Sequence, residues 1–161
     1  MLKEIVLLIL ISMVPVFELR LSLPLGITKF TTPAWIVIPV CIIANIAIAP
    51  VIYCLLEGLI RILCGIEFIN RLYTRYQDKV ITRLRPKIEK YGIWGLAIFI
   101  GIPLPGSGVY SGAVGAHALG MSLKDYFLAS IAGVCIAALV LTGVVYLGIE
   151  SLEFFIHHTA V

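Results

Sequence analysis

Val14-Pro15-Val16-Phe17-Glu18-Leu19-Arg20 decides how this chain folds. It places a proline and two opposite charges in the middle of an otherwise apolar segment, Ile5 to Ile27. A second apolar segment, Ile93 to Leu119, is interrupted in the same way by Pro103-Leu104-Pro105-Gly106-Ser107-Gly108. Each broken segment is followed, after a short polar gap, by a charge-free run, Thr31 to Leu56 and Tyr126 to Ile149. About 20 apolar residues suffice to cross a bilayer. The chain therefore reads as one unit used twice, a broken hairpin and then a spanning helix. Irregular backbone at membrane depth survives only where protein or a cavity satisfies it, so such breaks point to a transport site.

The composition fits that reading. Of 161 residues, 61% are hydrophobic and 13% charged, and the mean hydropathy is +1.09. A soluble domain is roughly 45–50% apolar and about 25% charged. Cys41, Cys54, Cys64 and Cys135 are scattered without paired spacing and read as small apolar fillers. Met1-Leu2-Lys3-Glu4 opens like a signal peptide, but no small-x-small site follows, so the segment is expected to be retained.

The expected fold is an all-α polytopic membrane protein forming a single domain. A first repeat covers 1–57, a linker 58–91, a second repeat 92–150 and a tail 151–161. The linker carries Arg61, Arg71, Arg75, Lys79, Arg83, Arg85, Lys87 and Lys90, eight of the twelve Lys and Arg residues, which places it in the cytoplasm. Ile66, Ile69, Leu72, Tyr73, Tyr76, Val80, Ile81 and Leu84 recur at helical spacing, so it reads as an amphipathic helix lying on the membrane or packed under the bundle. Glu57, Glu67, Asp78 and Glu89 interleave with the basic residues, which argues against nucleic acid. One spanning helix per repeat inverts the second repeat. The arms of the broken segments reach about half the hydrocarbon thickness. They fold either as re-entrant hairpins or as kinked single crossings, and the proline-flanked, glycine-rich second tip favours re-entry.

Glu18 and Arg20 are the only charged residues near either break, and a charge at membrane depth is a functional hypothesis by default. Their i,i+2 spacing brings them together if the tip is extended, which Pro15 and Pro24 favour. Glu18 is read as a proton-coupling acid and Arg20 as an anion ligand. The second tip supplies Pro103, Pro105, Gly106, Ser107 and Gly108, with Pro15 opposite. Ser107 is expected to cap a half-helix whose amides favour an anion. Gly108, Gly112 and Gly115 with Ala113 and Ala116 also form a face for close helix packing. Asn45, Tyr110 and Ser111 are candidate lining groups, with Asn45 expected to hydrogen-bond between helices. Trp35, Tyr53, Trp94 and Tyr126 look like interfacial anchors, and His117, His157 and His158 like interface or tail residues. There is no nucleophile elbow, phosphate loop or zinc helix. The chain is read as a non-enzyme without metal or cofactor.

The first tip, Pro24-Leu25-Gly26 and the cluster Pro103 to Gly108 together resemble the small multidrug export protein family, a compact relative of the DedA/VTT-domain membrane proteins. The resemblance covers residues 5–150. It implies two opposed re-entrant hairpins meeting at mid-membrane and a role in lipid handling. DedA proteins usually carry an arginine in the second hairpin, whereas this chain has Gly106-Ser107-Gly108-Val109 there. Three functions are weighed. The first is a transporter or flippase of an anionic amphipath such as polyisoprenyl phosphate. The second is a proton-coupled exporter of small hydrophobic compounds, and the third a membrane scaffold. Membrane lipids and a second copy of the chain are the expected partners, in the plasma membrane of a prokaryote.

Overall fold

The computed structural model describes residues 1–15, 17–64, 91–103 and 107–159. Val16, residues 65–90 where the amphipathic linker helix is expected, and the tip residues Leu104, Pro105 and Gly106 lie outside the described residues, as do the side chains of His157 and His158. Described are α1 (Leu2–Met13), α2 (Glu18–Lys29), α3 (Ala34–Cys64), α4 (Tyr91–Gly101), α5 (Val109–Ala118) and α6 (Leu123–Thr159). The order short, short, long thus occurs twice.

The punctuation has physical causes. Proline disfavours a helical residue before it, and α1 ends at Val14, extended at φ −79° and ψ 129°, directly ahead of Pro15. The chain recovers quickly, since the Glu18 amide donates to the Val14 carbonyl at 3.1 Å. At the other end of the molecule, Gly120 at φ +66° lets its own amide reach the His117 carbonyl and the Met121 amide the Ala116 carbonyl. That double closure stops α5. Ser122 then accepts from the Asp125 amide and donates to the Asp125 carboxylate, which starts α6.

The short helices pair into hairpins. A Cβ on Gly26 of α2 would press on Leu8 of α1 and Val37 of α3, and Ser12 of α1 donates to Ser22 of α2 at 2.7 Å. Nearer the hairpin's open end Glu4 meets Thr31 and Thr32, so α1 and α2 run in opposite directions. A Cβ on Gly112 would likewise meet Ile100, and one on Gly115 would meet Leu96 at 3.7 Å, so α5 folds back on α4. The expected small-residue packing face is therefore used here, against α4. Gly101 and Gly133 serve the same purpose where α4 crosses α6, on Ile136 and Ile100.

Two stretches, Ala34–Ile60 and Leu123–Gly148, are long and apolar enough to cross a membrane. Their most apolar windows are only 28% and 33% buried, whereas a core helix of a soluble protein would be mostly covered. The run expected from Thr31 to Leu56 contains Pro39 and Pro50, and α3 continues through both. Membrane helices tolerate proline because neighbouring groups re-satisfy the freed carbonyls. Trp35 and Trp94 are 75% and 70% exposed. Tyr53 and Tyr126 are not anchors, being 7% and 0% exposed. Tyr53 stacks in the core on Tyr126 and on His117, whose ring lies 4.1 Å from its own.

Candidate functional site

The two breaks face each other, and the first supplies charge to the second. Glu18 opens α2 at φ +43°, a left-handed conformation that costs a residue with a side chain about 1–3 kcal/mol. Ser22 holds it there by donating to the Glu18 carbonyl at 2.9 Å, with Ser12 behind. The carboxylate is thereby buried, with 5% of the residue exposed, against the start of α5. Its Oε1 accepts from the Tyr110 amide at 3.3 Å. A negative charge on the amide end of a helix is favourable.

Gly108 makes this approach possible. It is the N-cap of α5, at φ +129°, and any Cβ there would collide with the Glu18 carboxylate. Ser107 is not the cap. Its hydroxyl donates back to the Ile102 carbonyl and accepts from the Arg20 guanidinium at 2.6 Å. The same guanidinium nitrogen lies 3.4 Å from the Ile102 carbonyl, just past the last residue of α4. A cation on the carbonyl end of a helix is favourable too. Glu18 and Arg20 therefore match the two dipole ends that the second break exposes, the acid on α5 and the base on α4. They sit in the first turn of α2 rather than in an extended tip, and their closest approach is 3.7 Å, near but short of a hydrogen bond.

The remaining candidates separate. Pro15 is exposed and Pro103 half-buried, with no polar role for either. Tyr110 works through its amide on Glu18 and through its hydroxyl, which donates to the Met13 carbonyl at the end of α1. Ser111 bonds locally to the Gly108 carbonyl at 3.3 Å. Asn45 does not bridge helices by the bond it makes, since its Nδ2 donates to Cys41 of its own helix at 3.2 Å. It does line a cavity of about 10 Å³ with Glu18 and Arg20.

Three groups were not read from the sequence as part of the site. Ser12 and Ser22 are buried polar residues seen only once the hairpin is folded. Tyr126 donates to the Val109 carbonyl at 2.8 Å, bracing the turn that Glu18 holds. Glu4 clasps the open end of the first hairpin, its carboxylate accepting from the amides and hydroxyls of Thr31 and Thr32. Those bonds, Thr32 first, hold the Glu4 carboxyl below the usual glutamate range.

A family model described as "Putative small multi-drug export protein" matches residues 18–140. The chain belongs to that family. The match begins on Glu18, after Pro15 and α1, and takes in α2, α3, the second break and most of the apolar part of α6. With two exposed apolar spans, membership in an export family makes this an integral membrane protein. No curated protein and no solved structure gives a significant match.

Proposed function

We propose that this protein is a proton-coupled membrane exporter of small hydrophobic or amphipathic compounds, with Glu18 as the coupling acid. The observation that carries the reading is the Glu18 carboxylate, buried where the two hairpins meet and held on the Tyr110 amide at the start of α5. In this account the hairpins re-enter the membrane from opposite faces as an inverted repeat, with the tips meeting at mid-depth. Protonation removes the charge that strengthens the bonds to α5, so the hairpins part. Deprotonation draws them together again. The proton gradient supplies the free energy for export, and the coupling requires the joined and parted states to differ in affinity for proton and compound.

A second reading, flipping of an anionic lipid phosphate, is favoured by one observation. The Arg20 guanidinium and the Tyr110 amide converge on the same carboxylate, so an anionic head group could replace a protonated Glu18 there. Reconstituted vesicles separate the two. With an imposed pH gradient, accumulation of a lipophilic cation such as ethidium, lost in Glu18→Gln, supports export. Gradient-independent movement of a fluorescent lipid phosphate, lost in Arg20→Ala, supports flipping. Ethidium accumulation that is unchanged in Glu18→Gln removes the acid from the mechanism.

A further inference from the structure

The cavity beside Glu18 has the size and lining of a water site. Its volume of about 10 Å³ is close to the minimum that admits one water. It lies among α2, α3, α4, α5 and α6, its walls including Glu18, Arg20, Asn45, Ile100, Gly108 and Ala137. A water is stable in such a place only with two to four polar partners, and three groups here have capacity. Arg20 Nε is buried and has no hydrogen-bond partner among the described residues, which is rare enough to require an explanation. Asn45 spends one N–H on Cys41 and retains further donor and acceptor capacity. The Glu18 carboxylate accepts up to four bonds.

We propose that this cavity binds one water molecule, accepting from Arg20 Nε and bridging Asn45 to the Glu18 carboxylate, and that this water is the last carrier of the proton to Glu18. The proposal rests on the reading of Glu18 as the coupling acid. The step balances simply. The water receives a proton from the aqueous side and passes one of its own to a Glu18 oxygen, so no net bond is made within the water. Asn45 acts as a positioning residue, since it holds the water and not the proton. The cavity lies midway along both spans, at Asn45 of Ala34–Ile60 and at Val134 and Ala137 of Leu123–Gly148. A proton crossing at that depth needs a hydrated carrier.

The test is the infrared carbonyl band of protonated Glu18, assigned by its loss in Glu18→Gln, in the full chain in lipid nanodiscs after a jump to lower pH. Asn45→Leu fills the cavity from α3 and removes a partner. Ala137→Val fills it from α6 without removing any polar group, and so stands if Asn45→Leu fails to fold. The band is expected to rise at least about tenfold more slowly in both variants than in the unmodified protein. Equal rates overturn the water site and leave the reading of Glu18 intact. A Glu18 that takes up no proton in the unmodified protein, at any pH where the protein stays folded, overturns that reading and the relay with it.

Discussion

The two hairpins break at the same place and satisfy the break by opposite means. The first carries its own charges, Glu18 and Arg20, at the start of α2. The second carries none from Ile93 to Ala116 and instead presents bare backbone, amides at α5 and the Ile102 carbonyl beyond α4. The comparison teaches that a broken helical hairpin needs its dipole ends matched but not from its own sequence. The reverse service is lighter, since the Met13 carbonyl at the end of α1 receives only the neutral Tyr110 hydroxyl. One hairpin is thus a plug of charge, the other a socket of backbone.

The socket should be the easiest part to break. Gly108→Ala combines left-handed backbone with a collision against the Glu18 carboxylate, and is expected to lower stability by roughly 3–5 kcal/mol. Gly115→Ala places its methyl at an ordinary 3.7 Å from Leu96 and should be nearly neutral. Thermal unfolding of the two in the same detergent checks the contrast. Comparable losses would mean that the glycines act through packing alone.

The plug is next. Glu18→Gln and Arg20→Met each leave a partner charge in a site of low exposure, at about 3 kcal/mol apiece. The double variant should lose less than the sum, by an amount that a double-mutant cycle on denaturation midpoints reads directly. Strict additivity would mean that the two charges serve separate helix ends without sensing each other.

Tyr110→Phe tests the lighter service. It removes one bond to the α1 terminus and should cost about 1 kcal/mol, well below either charge variant. A loss as large as that of Glu18→Gln would erase the asymmetry between the hairpins.

The smallest effect belongs to Glu4, at the exposed open end. Its native carboxyl sits below the ordinary value because it accepts from Thr31 and Thr32. Its contribution is therefore complete above the ordinary glutamate range and is lost as pH falls through the lower native value. Cysteine labelling at Thr31→Cys would itself disturb the clasp, so amide exchange at Thr32 is the better probe. Exchange should speed up on acidification relative to the intrinsic rate, and Glu4→Gln should remove that pH dependence.

Much of this was legible beforehand. Proline placement and charge-free runs located α1, α2 and both spans, because helix stops and hydrophobic length are local properties of the chain. Glu18, Arg20, Ser107 and Gly108 were legible as a set, because charge and glycine in apolar sequence are conspicuous. Their partners were not. The i,i+2 spacing suggested an extended tip, whereas a left-handed Glu18 lets both side chains leave the first turn of a helix toward another hairpin. Tyr53 and Tyr126 near the ends of apolar runs match the anchor pattern as well as the core pattern, and only packing against His117 decides. Ser12 and Ser22 are ten residues apart, and nothing short of the folded hairpin brings them together.

The account turns on the Glu18 carboxylate resting on the Tyr110 amide in the first turn of α5. The Tyr110 amide proton shift, measured by solid-state NMR in lipid, reports that bond. It should lie downfield in the unmodified protein and move upfield in Glu18→Gln, while the Gly115 amide later in the same helix stays in place. A Tyr110 amide that is indifferent to Glu18→Gln would contradict the central claim that the first hairpin supplies the charge that the second lacks.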